Sequence, residues 1–173
     1  MNLYFRLIFV LISGICSKPR TSIMDIHRVW FRVLPNDLDT NLHMNNGRYL
    51  TIMDLGRTDA LLRSGLVKSI IRQKWMPVIA AVSMIYRRSL SPFERYCLET
   101  RLIGWDDKWI YMEQTFLRKN GDFAARGYVK ATFLKNGGRV PSADIAAAAN
   151  YTGASPELSA ELLALFPQTP TIL

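Results

Sequence analysis

Asp37-Leu38-Asp39-Thr40-Asn41-Leu42-His43-Met44-Asn45-Asn46 is the stretch on which the fold of this chain turns. Asp37, Asp39, Asn41, His43, Asn45 and Asn46 bring more carboxylate, amide and imidazole groups together than a turn requires. Just upstream, Ile26, Val29, Trp30, Phe31 and Val33 form an apolar run rich in β-formers, which predicts a strand. Leu34-Pro35-Asn36-Asp37 ends that strand, because Pro and Asn favour turns. Just downstream, Tyr49, Ile52, Met53, Gly56 and Ala60 recur at helical spacing. The spacing predicts a helix with Asn45 or Asn46 as its N-cap, running to Arg63, with Gly65 as the stop. Leu50, Leu61 and Leu62 widen its apolar face, so it should be heavily buried. Gly56 in mid-helix costs about 1 kcal/mol against Ala and predicts close approach of another backbone, such as a sheet wrapping the helix, with a neutral glycine as the alternative.

The polar stretch therefore sits between a strand and the start of a long helix. Unbonded backbone N–H groups at a helix N-terminus carry partial positive charge and stabilise a developing oxyanion. A carboxylate facing such donors supplies the parts for acyl transfer. The alternative is a run of caps and Asx-turns that only supports the loop.

Further along, Leu66 to Lys74 reads as a short helix with a basic outer face. Four strands follow. Val78 to Tyr86 is almost continuously apolar, as in a strand buried on both faces. Tyr96 to Ile103 alternates, with Tyr96, Leu98, Thr100 and Leu102 on one face. Trp109 to Leu117 and Phe123 to Leu134 are joined by Arg118-Lys119-Asn120-Gly121-Asp122, where Asn-Gly supplies the positive φ angles of a hairpin turn. Gly137-Gly138 ends the sheet, and residues 142–166 hold helical segments split by Gly153 and Pro156, before a loose tail from Pro167. The order predicts an α+β fold: a curved antiparallel sheet of about five strands wrapped around one long central helix. Residues 1–20 form an apolar leader, 21–140 the domain, and 141–173 a helical extension and tail.

With 173 residues, about half of them apolar, the chain has the size and composition of one globular domain. Its net charge of +8 favours an anionic partner or marks a solvated basic surface. No zinc-finger spacing, long Arg/Lys run or aromatic RNA-binding signature occurs, which argues against nucleic acid. Cys16 and Cys97 stand far apart, with no metal-ligand or redox spacing, and suit a reducing compartment. The leader, Leu3 to Cys16, is too short to cross a bilayer core of about 30 Å. A signal peptide lacks its leading positive charges here, and a lipoprotein signal lacks the small residue before Cys16. The remaining reading is an interfacial helix, lying on a membrane or packed on the domain, with Arg6, Lys18 and Arg20 near acidic headgroups. The expectation is a cytoplasmic protein with a peripheral membrane contact through this segment as one option.

Asp-x-Asp-x-Asn-x-His-x-Asn-Asn-x-x-Tyr, from Asp37 to Tyr49, resembles the signature of hotdog-fold acyl thioesterases. The window is similar to the acyl-carrier-protein thioesterases, and its Asp-x-x-x-His-x-Asn-Asn core, from Asp39 to Asn46, resembles that of 4-hydroxybenzoyl-CoA thioesterase-like proteins and the thioesterase superfamily member 6-like branch. The resemblance implies that Asp39 is the catalytic carboxylate, acting as nucleophile or as base on water. It implies active-site roles for Asn41 and His43: Asn41 orients Asp39 or the water, and His43 acts as base or donates to a carbonyl. Asn46 and Tyr49 match positions lining the substrate site, although Asn46 also suits a helix cap and Tyr49 the core. Two departures stand out. Many relatives have Gly where this chain has Leu42, which predicts a different backbone there, and no acidic residue occurs from Trp75 to Ala81, where the plant enzymes suggest one.

The implied function is hydrolysis of acyl-CoA or acyl-ACP, without a cofactor or metal, by a homodimer or higher oligomer. Arg87-Arg88, Arg118-Lys119, Arg126 and Lys130 are candidate phosphate contacts. A non-catalytic acyl-thioester binding module on the same fold is the alternative. A dehydratase ranks last, for want of a Gly-His-Phe-Pro type segment.

Overall fold

The computed structural model describes residues 2–16 and 21–166. The expected loose tail from Pro167 and the headgroup contacts expected of Lys18 and Arg20 lie outside the described residues.

Helix α1 (Asn2–Cys16) is followed by strand β1 (His27–Arg32), a 3-10 turn (Pro35–Asp37), helix α2 (Asn46–Arg63) and helix α3 (Leu66–Gln73). Strands β2 (Met76–Tyr86), β3 (Arg95–Trp105), β4 (Ile110–Arg118), β5 (Phe123–Lys135) and β6 (Gly138–Arg139) come next, then α4 (Ser142–Ala148) and α5 (Ala160–Ala164). The antiparallel sheet has the order β1-β3-β4-β5-β2, with β6 added to β5. This is the expected sheet, plus one short strand that the sequence reading ended at Gly137-Gly138. Asn136 and Gly137 both take positive φ, 51° and 81°, and form a two-residue hairpin that leads into β6. At the β4–β5 hairpin only Gly121 is left-handed (φ 86°), so that turn is a longer loop closed by one glycine.

The sheet curls over α2. Tyr49, Ile52, Met53 and Leu55 of the helix pack with Val29, Phe31, Leu98, Phe116 and Val129 in one core. Gly56 is where helix and sheet come closest. A Cβ there would lie 2.5 Å from Leu98 Cδ2 and 2.7 Å from Thr100 Oγ1. Below it, Gln114 Nε2 donates to the Met53 carbonyl and to Thr100 Oγ1, each at 2.9 Å. His27, Thr100 and Gln114 are direct cross-strand neighbours, so a polar row crosses an otherwise apolar sheet face.

One expectation needs correction. β2 is an edge strand, and Ile79, Val82, Ile85 and Tyr86 are each well exposed rather than buried on both faces. A continuous apolar run carries no information about which surface covers it. Of the two placements read for the leader, on a membrane or packed on the domain, the structure shows contact with the domain. α1 packs along α2 through Leu3, Leu7 and Val10. Gly14 lets the helices meet, since a Cβ there would lie 2.8 Å from Leu62 Cδ1.

Candidate active site

The loop between β1 and α2 is built on Asp37. Its carboxylate is fully buried and takes charge-assisted hydrogen bonds from Arg6 of α1 (2.5 Å) and from Arg48 of α2 (2.9 Å). It also caps the Leu34 N–H at 2.9 Å, while its carbonyl accepts from the Asn45 N–H. One carboxylate thus ties together α1, the strand end and the start of α2. Two cations against one buried anion satisfy the desolvation demand that a lone carboxylate would not meet.

On that base the next residues fold into a compact hairpin. Leu38 and Met44 bridge, the Asp39 N–H donates to the His43 carbonyl at 2.9 Å, and Met44 N–H donates to Leu90 O. Leu42 sits at the tip with φ 57°, the left-handed conformation that glycine adopts freely. Leucine here takes up a glycine-like geometry, at a cost of roughly 1–2 kcal/mol.

Asp39 is half-buried inside this hairpin. Its Oδ1 accepts from the backbone N–H groups of Asn41 (2.9 Å) and His43 (3.3 Å), and Oδ2 accepts no hydrogen bond from the described residues. The side chains of Asn41 and His43 are exposed and make no hydrogen bond among the described residues, so it is their backbone, not their functional groups, that holds Asp39. Asn45 is the N-cap, accepting from Gly47 N at 2.8 Å, and Asn46 is the first helical residue. Asn46 is exposed, and its carbonyl accepts from Tyr86 Oη at 3.2 Å. No hydrogen bond of the described residues uses the Asn46 N–H, which leaves one donor free at the helix start.

Tyr49 lies in the core, 2% exposed, packed edge-on against Tyr86 and Phe116. Burial pushes its hydroxyl up to about 12, with the charges of Tyr86, Glu94 and Asp39 adding to the effect. It supports the loop from beneath rather than presenting a free surface.

A cavity of about 260 Å³ lies between the second half of α2 and the sheet, with lining residues from each of β1 to β5. Leu61, Pro77, Ile79, Leu102, Met112 and Phe133 make most of its wall, with His27, Asp54 and Arg57 as polar members. Arg57 donates to Gln114 Oε1 at 2.7 Å, and burial lowers its pKa while Asp54 opposes that shift. Asp39 is not among the lining residues.

Most candidate phosphate contacts have partners within the protein. Arg88 pairs with Asp122, Arg118 with Glu94, Arg126 with Glu113, and Lys130 lies over the Trp109 ring. The Arg6–Asp37–Arg48 cluster escaped sequence reasoning. Its signal was Arg6, the single charge in an apolar segment.

An antiparallel sheet curled around a central helix, with a carboxylate in the loop that opens the helix, defines the class: a hotdog-fold protein of the thioesterase type. The family model for the Thioesterase-like superfamily matches residues 33–166, and the chain belongs to that family. Protein THEM6 of Xenopus laevis is 43% identical over 93 residues, covering 54% of this chain and 45% of that protein. The chain thus spans about half the length of that relative. Among solved structures, the probable thioesterase YbaW of Escherichia coli superposes with TM-score 0.66 at 19% identity, covering 70% of this chain and 95% of that one. The protein SAV2348 of Staphylococcus aureus, solved in complex with CoA, gives TM-score 0.65 at 17% identity, covering 89% of this chain and all of that one.

Proposed function

We propose that the chain hydrolyses acyl thioesters at Asp39. The observation that carries this reading is the state of the Asp39 carboxylate. Two backbone N–H groups fix one oxygen, and the other accepts no hydrogen bond among the described residues, in the loop that leads into α2. That oxygen is open to a water molecule or a substrate group.

In the simpler route Oδ2 takes a proton from water as the water oxygen bonds to the thioester carbonyl carbon. The negative charge gathers on the carbonyl oxygen, within reach of the α2 N-terminus and its Asn46 N–H. The C–S bond then breaks, the thiolate leaves and takes up a proton, and the acid is released. In the other route Asp39 attacks the carbonyl itself, the C–S bond breaks and the thiolate leaves, and water then cleaves the resulting mixed anhydride to release the acid and restore the carboxylate. His43 and Asn41, exposed on the same loop, are placed to meet the substrate or its water rather than Asp39. The apolar cavity beside α2 offers a place for an acyl group. The net charge of +8 and the CoA bound by the S. aureus neighbour support a phosphate-bearing carrier such as CoA, with acyl carrier protein as the other candidate.

The test is turnover of wild type and Asp39→Asn on acyl-CoA and acyl-ACP thioesters of graded chain length, with circular dichroism to confirm folding. Loss of base action is worth about 10²–10⁴ in rate. An Asn variant keeping more than about a tenth of the turnover falls short of that range and moves the binding-module reading ahead. His43→Ala should lose less than Asp39→Asn if the carboxylate activates water directly, and a comparable amount if His43 is the base.

A further inference from the structure

α1 has two unlike faces. Leu3, Arg6, Leu7, Val10 and Gly14 face the domain, at the i, i+3, i+4, i+7, i+11 spacing of one helix stripe. Tyr4, Phe5, Ile8, Phe9, Ile12 and Ile15 face away from it, each between 51% and 70% exposed or, for Tyr4, 71%. The helix carries one charged residue, Arg6, and that side chain is turned inward and paired with Asp37. The outer face is therefore a contiguous apolar surface without a charge, made of two aromatic rings, one phenol and three isoleucines. Soluble proteins seldom leave such a patch uncovered.

We infer that this outer face lies on an anionic lipid bilayer, with α1 parallel to the membrane plane. Three observations select that occupant. At about 1.5 Å per residue the helix is about 22 Å long, short of the roughly 30 Å of hydrocarbon that a span needs. No described helix is long and apolar enough to cross a membrane. Its inner face is already fixed to α2, so insertion end-on would break the Arg6–Asp37 pair, whereas lying flat keeps it. The chain has 22 Lys and Arg against 14 Asp and Glu, and Lys18 and Arg20 follow the helix in sequence. That charge suits anionic headgroups, while a protein partner would be expected to meet polar groups on the face, and there are none apart from the Tyr4 hydroxyl. The usual polar side of an interfacial helix is here supplied by the domain itself. The loop bearing Asp39 shares Asp37 with α1, so the bilayer would sit against the element that anchors the site.

The experiment is co-sedimentation of the full chain with vesicles of phosphatidylcholine alone and with added phosphatidylglycerol. Wild type is compared with Phe9→Asp/Ile12→Asp, two outward positions that leave the inner stripe intact. Expected are binding to the anionic vesicles, weaker binding to the zwitterionic ones, and a loss of at least about tenfold in the variant, since each side chain removed from water is worth about that factor. Wild type left in the supernatant, equal pelleting of the variant, or equal binding to both vesicle types would overturn the assignment. So would a fall in solution mass of the variant without lipid, seen by light scattering, because the face would then join copies of the chain. Circular dichroism and Asp39-dependent turnover on a soluble thioester, which the variant should retain, separate this result from the proposed hydrolysis.

Discussion

His27 shows how much a single side chain can be constrained without being catalytic. It is 4% exposed at the start of β1, its Nδ1 lies 3.5 Å from Thr21 Oγ1, and its Nε2 has no partner among the described residues. Burial lowers its pKa, and the nearby Asp59 carboxylate only partly offsets this. The unfolded chain then binds a proton more readily than the folded one. The neutral imidazole's contribution is fully present above the unfolded pKa of about 6.5 and is lost as pH falls through the lowered folded value. Urea midpoints should accordingly drop between pH 7.5 and pH 5, and His27→Gln should drop less over the same interval. Equal slopes for the two proteins would remove His27 from the acid limb. Leu42 gives a second residue-scale expectation. Leu42→Gly relieves left-handed strain of roughly 1–2 kcal/mol, against roughly 0.5–1 kcal/mol of extra chain entropy. A stability gain below about 1 kcal/mol by chemical denaturation is expected, and a loss would mean that the exposed leucine is packed in solution. At this scale the Asp37–Tyr49 motif was legible because the polar groups are local in sequence. That Asp39 is held by backbone rather than by Asn41 and His43 side chains was not, because spacing does not tell which atoms of a loop residue turn inward.

Between elements, the sequence was informative wherever period and turn chemistry agreed. The α2 boundaries, the Gly65 stop (φ 76°) and the alternation of β3 follow from residues in contact along the chain. At Gly56 the sheet does come close, but side chains of β3 and β4, not the expected backbone, meet the glycine. Gly56→Ala should be destabilising by about 1–3 kcal/mol, because Leu98 and Thr100 must shift, despite a helix propensity gain of about 1 kcal/mol. A more stable alanine variant would show that the sheet can yield. The α1–loop connection was not legible, since Arg6 and Asp37 meet only after α1 has folded back on α2. Arg6→Ala leaves Asp37 with Arg48 alone. Breaking a buried pair costs about 3–5 kcal/mol, and the remaining arginine should hold the loss to the lower end. Denaturant midpoints of Arg6→Ala and Arg6→Lys test it, and a loss under about 1 kcal/mol for alanine would place the pair in the weak class of surface bridges.

For the molecule as a whole, the open question raised by the sheet is its β2 edge. An eleven-residue strand with exposed Ile79, Val82 and Ile85 is an invitation to pairing. We propose that two copies associate there, which would also explain why the sequence of β2 reads as buried on both sides. Val82→Lys should shift the protein toward monomer in light scattering at micromolar concentration while leaving the protomer folded. A wild type that is already monomeric there would refute the assembly. The family could be read from thirteen residues and the order of the strands, but the covering of two apolar surfaces could not, because hydropathy registers that a side chain avoids water and not what shields it.

Arg6 also solves a problem of orientation. In a helix apolar on nearly every side hydropathy sets little preference for rotation about its axis, and the close approach at Gly14 selects a stripe by shape alone. One inward charge with a buried counter-ion adds an electrostatic preference to that shape. Neighbouring helical positions are about 100° apart, so exchanging Phe5 and Arg6 keeps composition and hydropathy unchanged while asking the helix to turn by more than a quarter of a revolution. Position, rather than content, would then decide which six side chains look outward.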